Sequence, residues 1–263
     1  MHRFNQKKKI AIITGGCGLF GNVQIKALKE INCKVIVVDK DKKKINKLKK
    51  QKEFNEVDFF QCNITQIKKI IQVNNKIKKK YGAVNILINN AANDFIPNIR
   101  RKFKKSNYYR LDLNNLKKDI DVGLIGAIYC SKIFGEEMAK KKYGIILNIS
   151  SDLSVIAPDQ RIYYHLGIKK PVSYSIVKNG LSGLTKYLAA FWADKNVRVN
   201  SFSPGGIFNN QEKIFVKKLK KLIPLGRMAN KMEYKETIQF LCSDASSYIT
   251  GQNIISDGGR SII

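Results

Sequence analysis

The chain has 263 residues, 44% of them hydrophobic and 26% charged, enough for one large domain with a sizeable core. With 18 Gly and 5 Pro it is neither collagen-like nor low in complexity, and no apolar run approaches the roughly 20 residues needed to cross a bilayer. The basic N-terminus runs into an apolar stretch at 10–13 that gives way at once to Thr14-Gly15-Gly16, so no secretory leader is expected; the expected location is cytoplasmic, with no membrane partner.

Five cysteines, Cys17, Cys33, Cys62, Cys130 and Cys242, are scattered without CxxC spacing, and there are only two histidines. That pattern suits reduced, buried thiols and predicts no metal site. The net charge of +29 invites a nucleic-acid reading, but Lys, Asn and Ile together make up 38% of the chain. Such a skew across three residue types is compositional, so no specific nucleic-acid partner is expected. Anionic ligands will still be attracted electrostatically.

In chain order, strands are predicted at 10–13, 34–38, 57–61, 85–88, 144–149, 198–202 and 253–256. Amphipathic helices are predicted between them at 20–31, 41–51, 65–81, 116–140, 173–194 and 231–242. The strands are short and apolar on both faces, as strands covered by helices on each side must be. The expected fold is α/β: one domain over 1–263, a Rossmann-like doubly wound parallel sheet of about seven strands. Two segments, 93–115 and 152–172, are too long for plain connections and follow strand C-terminal ends, the edge where such sheets bind ligands.

Thr14-Gly15-Gly16-Cys17-Gly18-Leu19-Phe20-Gly21 follows the first strand and opens the first helix. Glycines there allow a sharp turn and a close approach of backbone to a pyrophosphate, which then faces helix N-terminal amides. The second strand ends in Asp39, about 20 residues on, where a carboxylate accepts bonds from ribose hydroxyls. An acid at that place repels a 2′-phosphate, so NAD is expected over NADP. Further along, Tyr174-x-x-x-Lys178 places both side chains on one helix face, where the ammonium favours the phenolate. It follows Ser150-Ser151 at a strand end, where a hydroxyl can donate to a carbonyl oxygen while the phenol moves the proton.

These landmarks, with Asn63-Ile64, Asn89-Asn90-Ala91-Ala92, Asn200 to Gly206, Thr250-Gly251-Gln252 and Asp257-Gly258-Gly259, occur in an order that resembles the short-chain dehydrogenase/reductase family nearly end to end. The resemblance implies that Tyr174 is the general acid/base and a cofactor contact, Lys178 its partner and a nicotinamide-ribose ligand, and Ser151 the group orienting the substrate carbonyl. It further implies cofactor contacts at Gly15, Gly18, Leu19, Phe20 and Gly21 in the turn. Asn63 and Ile64 would lie near adenine, Asn90 and Ala91 along the ribose, and Pro204, Gly205 and Ile207 near the nicotinamide. Three departures stand out: Leu19 replaces the middle glycine, Gly123 stands where the family commonly has Asn, and Ser151 to Tyr174 spans 23 residues.

The long Ala157-Pro158-Asp159-Gln160-Arg161-Ile162-Tyr163 segment resembles a bacterial subgroup labelled as flagellin-modification or surface-polysaccharide oxidoreductases acting on nonulosonic-acid sugars. That implies a sugar or sugar-nucleotide substrate, with Arg161, Tyr163 and Tyr164 as candidate substrate residues beside Arg100, Arg101, Arg110 and His165. A 3-oxoacyl-thioester or small-alcohol reductase is the alternative within the class. A catalytically silent dinucleotide- or nucleic-acid-binding protein is the alternative outside it. Apolar residues on more than one side of two helices, including Phe134, Leu184, Leu188 and Phe191, together with the resemblance, predict a homodimer or homotetramer.

Overall fold

The computed structural model describes residues 2–93 and 108–263. Its strands are β1 (Ile10–Thr14), β2 (Lys34–Asp39), β3 (Asp58–Gln61), β4 (Ile86–Asn89), β5 (Gly144–Ile149), β6 (Val197–Pro204) and β7 (Asn253–Ser256). The α-helices of the described residues are α1 (Leu19–Glu30), α2 (Lys42–Lys49), α3 (Ile67–Tyr81), α4 (Leu113–Ile120), α5 (Gly126–Lys140), α6 (Val172–Phe191), α7 (Lys213–Lys220) and α8 (Lys235–Leu241).

All seven strands pair in parallel in the order β3-β2-β1-β4-β5-β6-β7, the Rossmann-like arrangement. The order reverses between β1 and β4, opening a crevice above their C-terminal ends. Strand periodicity divides the core in two. Ala11, Ile13, Val35, Val37, Ile86 and Ile88 face α1 and α8, while Ile10, Ile12, Ile36, Val38 and Leu87 face α3, α5 and α6.

A third, smaller cluster lies beside the main cores. Ile162, Tyr163 and Ile168 pack on Phe215 and Leu219 of α7, with Ile223 and Met228. The segment 152–172 is therefore ordered: it forms 3-10 turns at Asp152–Ser154 and Gln160–Leu166 rather than one open loop. Helix α7 was not expected from the sequence, and the helix expected at 231–242 opens as a 3-10 turn, Lys231–Tyr234, before α8. Of the segment 93–115, residues 94–107, with Arg100 and Arg101, lie outside the described residues, as does the Arg110 side chain; Asp112 caps α4 by accepting from Asn114 and Asn115 N–H.

The helix expected at 116–140 is longer and interrupted. It starts as α4, passes through a π-helical turn at Asp121–Ile125 and continues as α5. Gly123 sits in that turn because α6 passes close: a Cβ there would fall 2.5 Å from Val177 Cγ1. A π-turn relieves such crowding by letting one residue bulge. The departure from Asn at this position thus has a packing cause.

The apolar residues taken as a sign of assembly divide differently. Phe134 and Leu188 are buried within the chain's own core beside Trp192, so they demand no second partner. Phe191 remains 60% exposed on α6, stacked on the equally outward Tyr187 at 5.8 Å between ring centroids.

Candidate active site

The turn after β1 is built by steric necessity. Gly15 has φ +63°, and a Cβ on it would fall 2.7 Å from the Ala91 backbone. At Gly21 a Cβ would meet the Gly16 carbonyl oxygen at 2.3 Å, so glycine there lets α1 rest on the turn. Gly18 differs: a Cβ would approach only the Gly15 carbonyl, at 3.3 Å, which leaves its outer side open. Gly18 is also the N-cap of α1 and offers no side-chain cap to the first-turn N–H groups. Open amides at a helix start are what a pyrophosphate needs. The displaced glycine therefore fits a dinucleotide, with Leu19 as the first residue of the helix. Phe20 turns inward and packs edge-on against Tyr234 at 5.7 Å.

Asp39 is pinned at the end of β2. Its Oδ2 accepts the Cys17 N–H at 3.1 Å and its Oδ1 accepts the Asp41 N–H at 3.0 Å. The carboxylate thus faces the glycine turn with its orientation fixed. Burial, with the adjacent Asp39 charge adding to it, pushes the Cys17 thiol up to about 12, so this cysteine stays protonated and unreactive.

Asn90 staples β4 to that turn. Its Nδ2 donates to the carbonyls of Thr14 and Gly15, both at 3.0 Å, and its Oδ1 accepts from Gln24 Nε2 at 2.8 Å. Thr14 Oγ1 in turn accepts the N–H groups of Asn90 and Ala91. Asn63 spends its side chain on Thr65, accepting from both its N–H and its hydroxyl at 3.1 Å, while Ile64 is buried beside Gly126. Gly205 N–H donates to the Ser256 carbonyl at 2.8 Å, extending the β6–β7 pairing beyond Pro204, and Ile207 bridges to Ala229.

The residues expected to do the acid–base work lie at the end of β5. Lys178, buried on α6, donates from Nζ to the Ile149 carbonyl at 2.8 Å, and Ser150 Oγ donates back to the Lys178 carbonyl at 2.9 Å. That reciprocal tie locks the helix to the strand beside Ser151. Tyr174, one helical turn earlier, has its ring centroid 5.6 Å from Lys178 Nζ. Ser151 Oγ donates to Asp152 Oδ1 at 2.8 Å, and Asp152 Oδ2 is held by Arg260 Nη1 at 2.7 Å. Neither Asp152 nor Arg260 was singled out from the sequence, and nothing local signals a pairing across 108 positions.

The candidate substrate residues make contacts of their own. Tyr163 is buried with its ring 5.4 Å from Phe215, a packing role in the third cluster. Arg161 folds back on Asp159 at 2.8 Å and is largely exposed, as is Tyr164. His165 Nε2 lies 3.3 Å from Glu212 Oε2, linking the 3-10 turn to the start of α7. By contrast Lys170, one more lysine in a lysine-rich chain, comes directly against Tyr174 with its Nζ 3.5 Å from the ring centroid.

Residues 21–261 match a short-chain dehydrogenase family model whose description is enoyl-(acyl carrier protein) reductase. A post-translational flagellin modification protein A from Campylobacter coli is 28% identical over 256 residues, spanning 96% of this chain and 98% of its own length. The NAD-dependent glycerol dehydrogenase of Listeria innocua is 31% identical over 264 residues, spanning 98% and 96%. Among solved structures, a short-chain dehydrogenase from Leptospira borgpetersenii with bound NAD+ superposes with a TM-score of 0.84 at 30% identity, covering 97% of this chain and 93% of that one. The chain is an oxidoreductase of the short-chain dehydrogenase/reductase family.

Proposed function

We propose that the protein is an NAD(H)-dependent oxidoreductase acting on a secondary alcohol or ketone of a sugar or sugar-nucleotide. The observation that carries the reaction is the convergence of Ser151, Tyr174 and Lys178 at the C-terminal end of β5, on the same sheet edge as the glycine turn and Asp39. The sugar assignment is supported by the likeness to the flagellin modification protein, by the polar 152–172 segment, and by the basic charge that favours anionic sugars.

When bound, the nicotinamide accepts or donates the hydride. The chain's residues hold it and move the proton. Asp39 would accept the adenosine ribose hydroxyls, the α1 amides would face the pyrophosphate, and Lys178 would reach the nicotinamide ribose. Tyr174 takes the proton from a substrate hydroxyl in oxidation and returns it in reduction. Ser151 has one proton to donate, here given to Asp152. Turning it onto a substrate oxygen gives up a charge-assisted bond to Asp152 worth about 1.5–3 kcal/mol, which a bond of the same kind to the developing alkoxide offsets.

The reading is tested with NAD and a panel of hexoses, sugar acids, nucleotide sugars and an acetoacetyl thioester, following NADH absorbance. Turnover of a sugar secondary alcohol is expected, and turnover of the thioester alone would replace the sugar assignment. On the cofactor side, Asp39→Ala is expected to weaken NAD binding about ten- to hundredfold by removing two charge-assisted bonds, without weakening NADP. Calorimetry with Asp39→Asn as the shape-preserving companion checks this; unchanged NAD affinity in both variants would refute the ribose contact.

A further inference from the structure

The stretch between Ser151 and Tyr174 delivers a group that the acid–base reading does not use. Lys170 is buried, with 9% exposure, and its Nζ lies 3.5 Å from the Tyr174 ring centroid, closer than that of Lys178. Its backbone is held on both sides. Lys170 N–H donates to Gln160 Oε1 at 2.9 Å, and Gln160 Nε2 donates to the Lys170 carbonyl at 3.4 Å. Pro171 follows as the N-cap of α6 and confines residue 170 to extended backbone. Gln160 itself begins the 3-10 turn that Ile162 and Tyr163 anchor in the third cluster. The extra residues of this segment thus fix one ammonium on one ring.

An ammonium over an aromatic face is attracted by the ring quadrupole. The attraction grows when the phenol ionises, because a full negative charge is added where burial limits screening.

We propose that Lys170 is a second cation acting on Tyr174, a positioning residue that, together with Lys178, favours the phenolate and fixes the plane of the ring. This rests on the reading of Tyr174 as the acid–base group. Other charged groups stand on the neighbouring described elements. Asp152, after β5, is matched by Arg260 at 2.7 Å. Asp119 of α4 accepts the Ser173 hydroxyl at 2.6 Å, and Asp121 of the π-turn pairs with Lys117 at 2.7 Å. His165 Nε2 lies 3.3 Å from Glu212 Oε2 without a hydrogen bond between them, and Arg198 at the far end of β6 donates to the carbonyls of Ile249 and Ser243.

The test needs no substrate. Tyrosinate absorbance is titrated in the NAD-bound protein for wild type, Tyr174→Phe, Lys170→Met, Lys170→Gln and Lys170→Arg, with NAD affinity as the check on folding. One of the eleven tyrosines is expected to ionise well below the ordinary value of about 10, and that step is expected to vanish in Tyr174→Phe. Both neutral Lys170 variants are expected to move its midpoint up by about one pH unit, while Lys170→Arg keeps it low. A midpoint unmoved in Lys170→Met and Lys170→Gln overturns the role of Lys170 and leaves that of Tyr174 intact. An early step that persists in Tyr174→Phe overturns the reading of Tyr174 itself.

Discussion

Tyr174→Phe is expected to lower NAD-coupled turnover about 10²–10⁴-fold while leaving NAD affinity nearly unchanged. The substitution removes one oxygen and keeps the ring, so the aromatic face that receives Lys170 survives. It is the cleanest probe of the site, because its partners do structural work as well. Lys178 holds the Ile149 carbonyl and receives Ser150 at its own, so truncating it disturbs the join between β5 and α6 along with the chemistry. Ser151 accepts the Leu153 N–H at 3.2 Å and shapes the turn after the strand. Steady-state rates for the variant, measured on whichever sugar the panel identifies, decide the matter. Turnover within about a factor of three of wild type would remove Tyr174 from the mechanism, and loss of NAD binding would show that the defect lies in the fold.

The parts of this site that are legible in the sequence are those fixed by local geometry. A strand that ends in Gly-rich backbone, or in Asp39, announces its C-terminal edge within a few residues, and Tyr174 and Lys178 share a helix face through i,i+4 spacing alone. What stays hidden is set by distant atoms. Gly123 reads as a loss until Val177 is seen against it, because the constraint comes from a helix about 50 positions on. Helix α7 carries a readable pair, Phe215 and Leu219, but the partners that bury them, Ile162 and Tyr163, come from a segment that reads as polar loop. Tyr163 belongs with them: residue type suggests a polar role, and the contact of its ring with Phe215 is visible only in the fold. Lys170 is masked by composition. In a chain where Lys and Arg number 49, one buried ammonium has no sequence signature beyond the proline that follows it.

Arg260→Leu is the substitution expected to cost the most stability, about 3–5 kcal/mol, because it strands a buried carboxylate. Asp152 is 3% exposed and Arg260 8%, and they meet at 2.7 Å. Asp152 already accepts from the Ser151 hydroxyl and the Leu153 N–H through its other oxygen, so those two donors are already spent. Its charge is also felt by Tyr234, whose phenol is pushed above its ordinary range by burial first and by Asp152 next. For a domain of this size the loss corresponds to a fall in Tm on the order of 10 °C. A double substitution, Asp152→Asn with Arg260→Leu, is expected to recover part of it, since the stranded charge is removed along with its partner. Thermal and urea unfolding of the two single variants and the double variant measure that coupling directly. A Tm within about 2 °C of wild type for Arg260→Leu would mean that the pair is open to water in solution, and with it the turn that aims Ser151. A fall that the double variant does not relieve would instead place the cost in the packing of the C-terminal 3-10 turn, Arg260–Ile262, rather than in the charge.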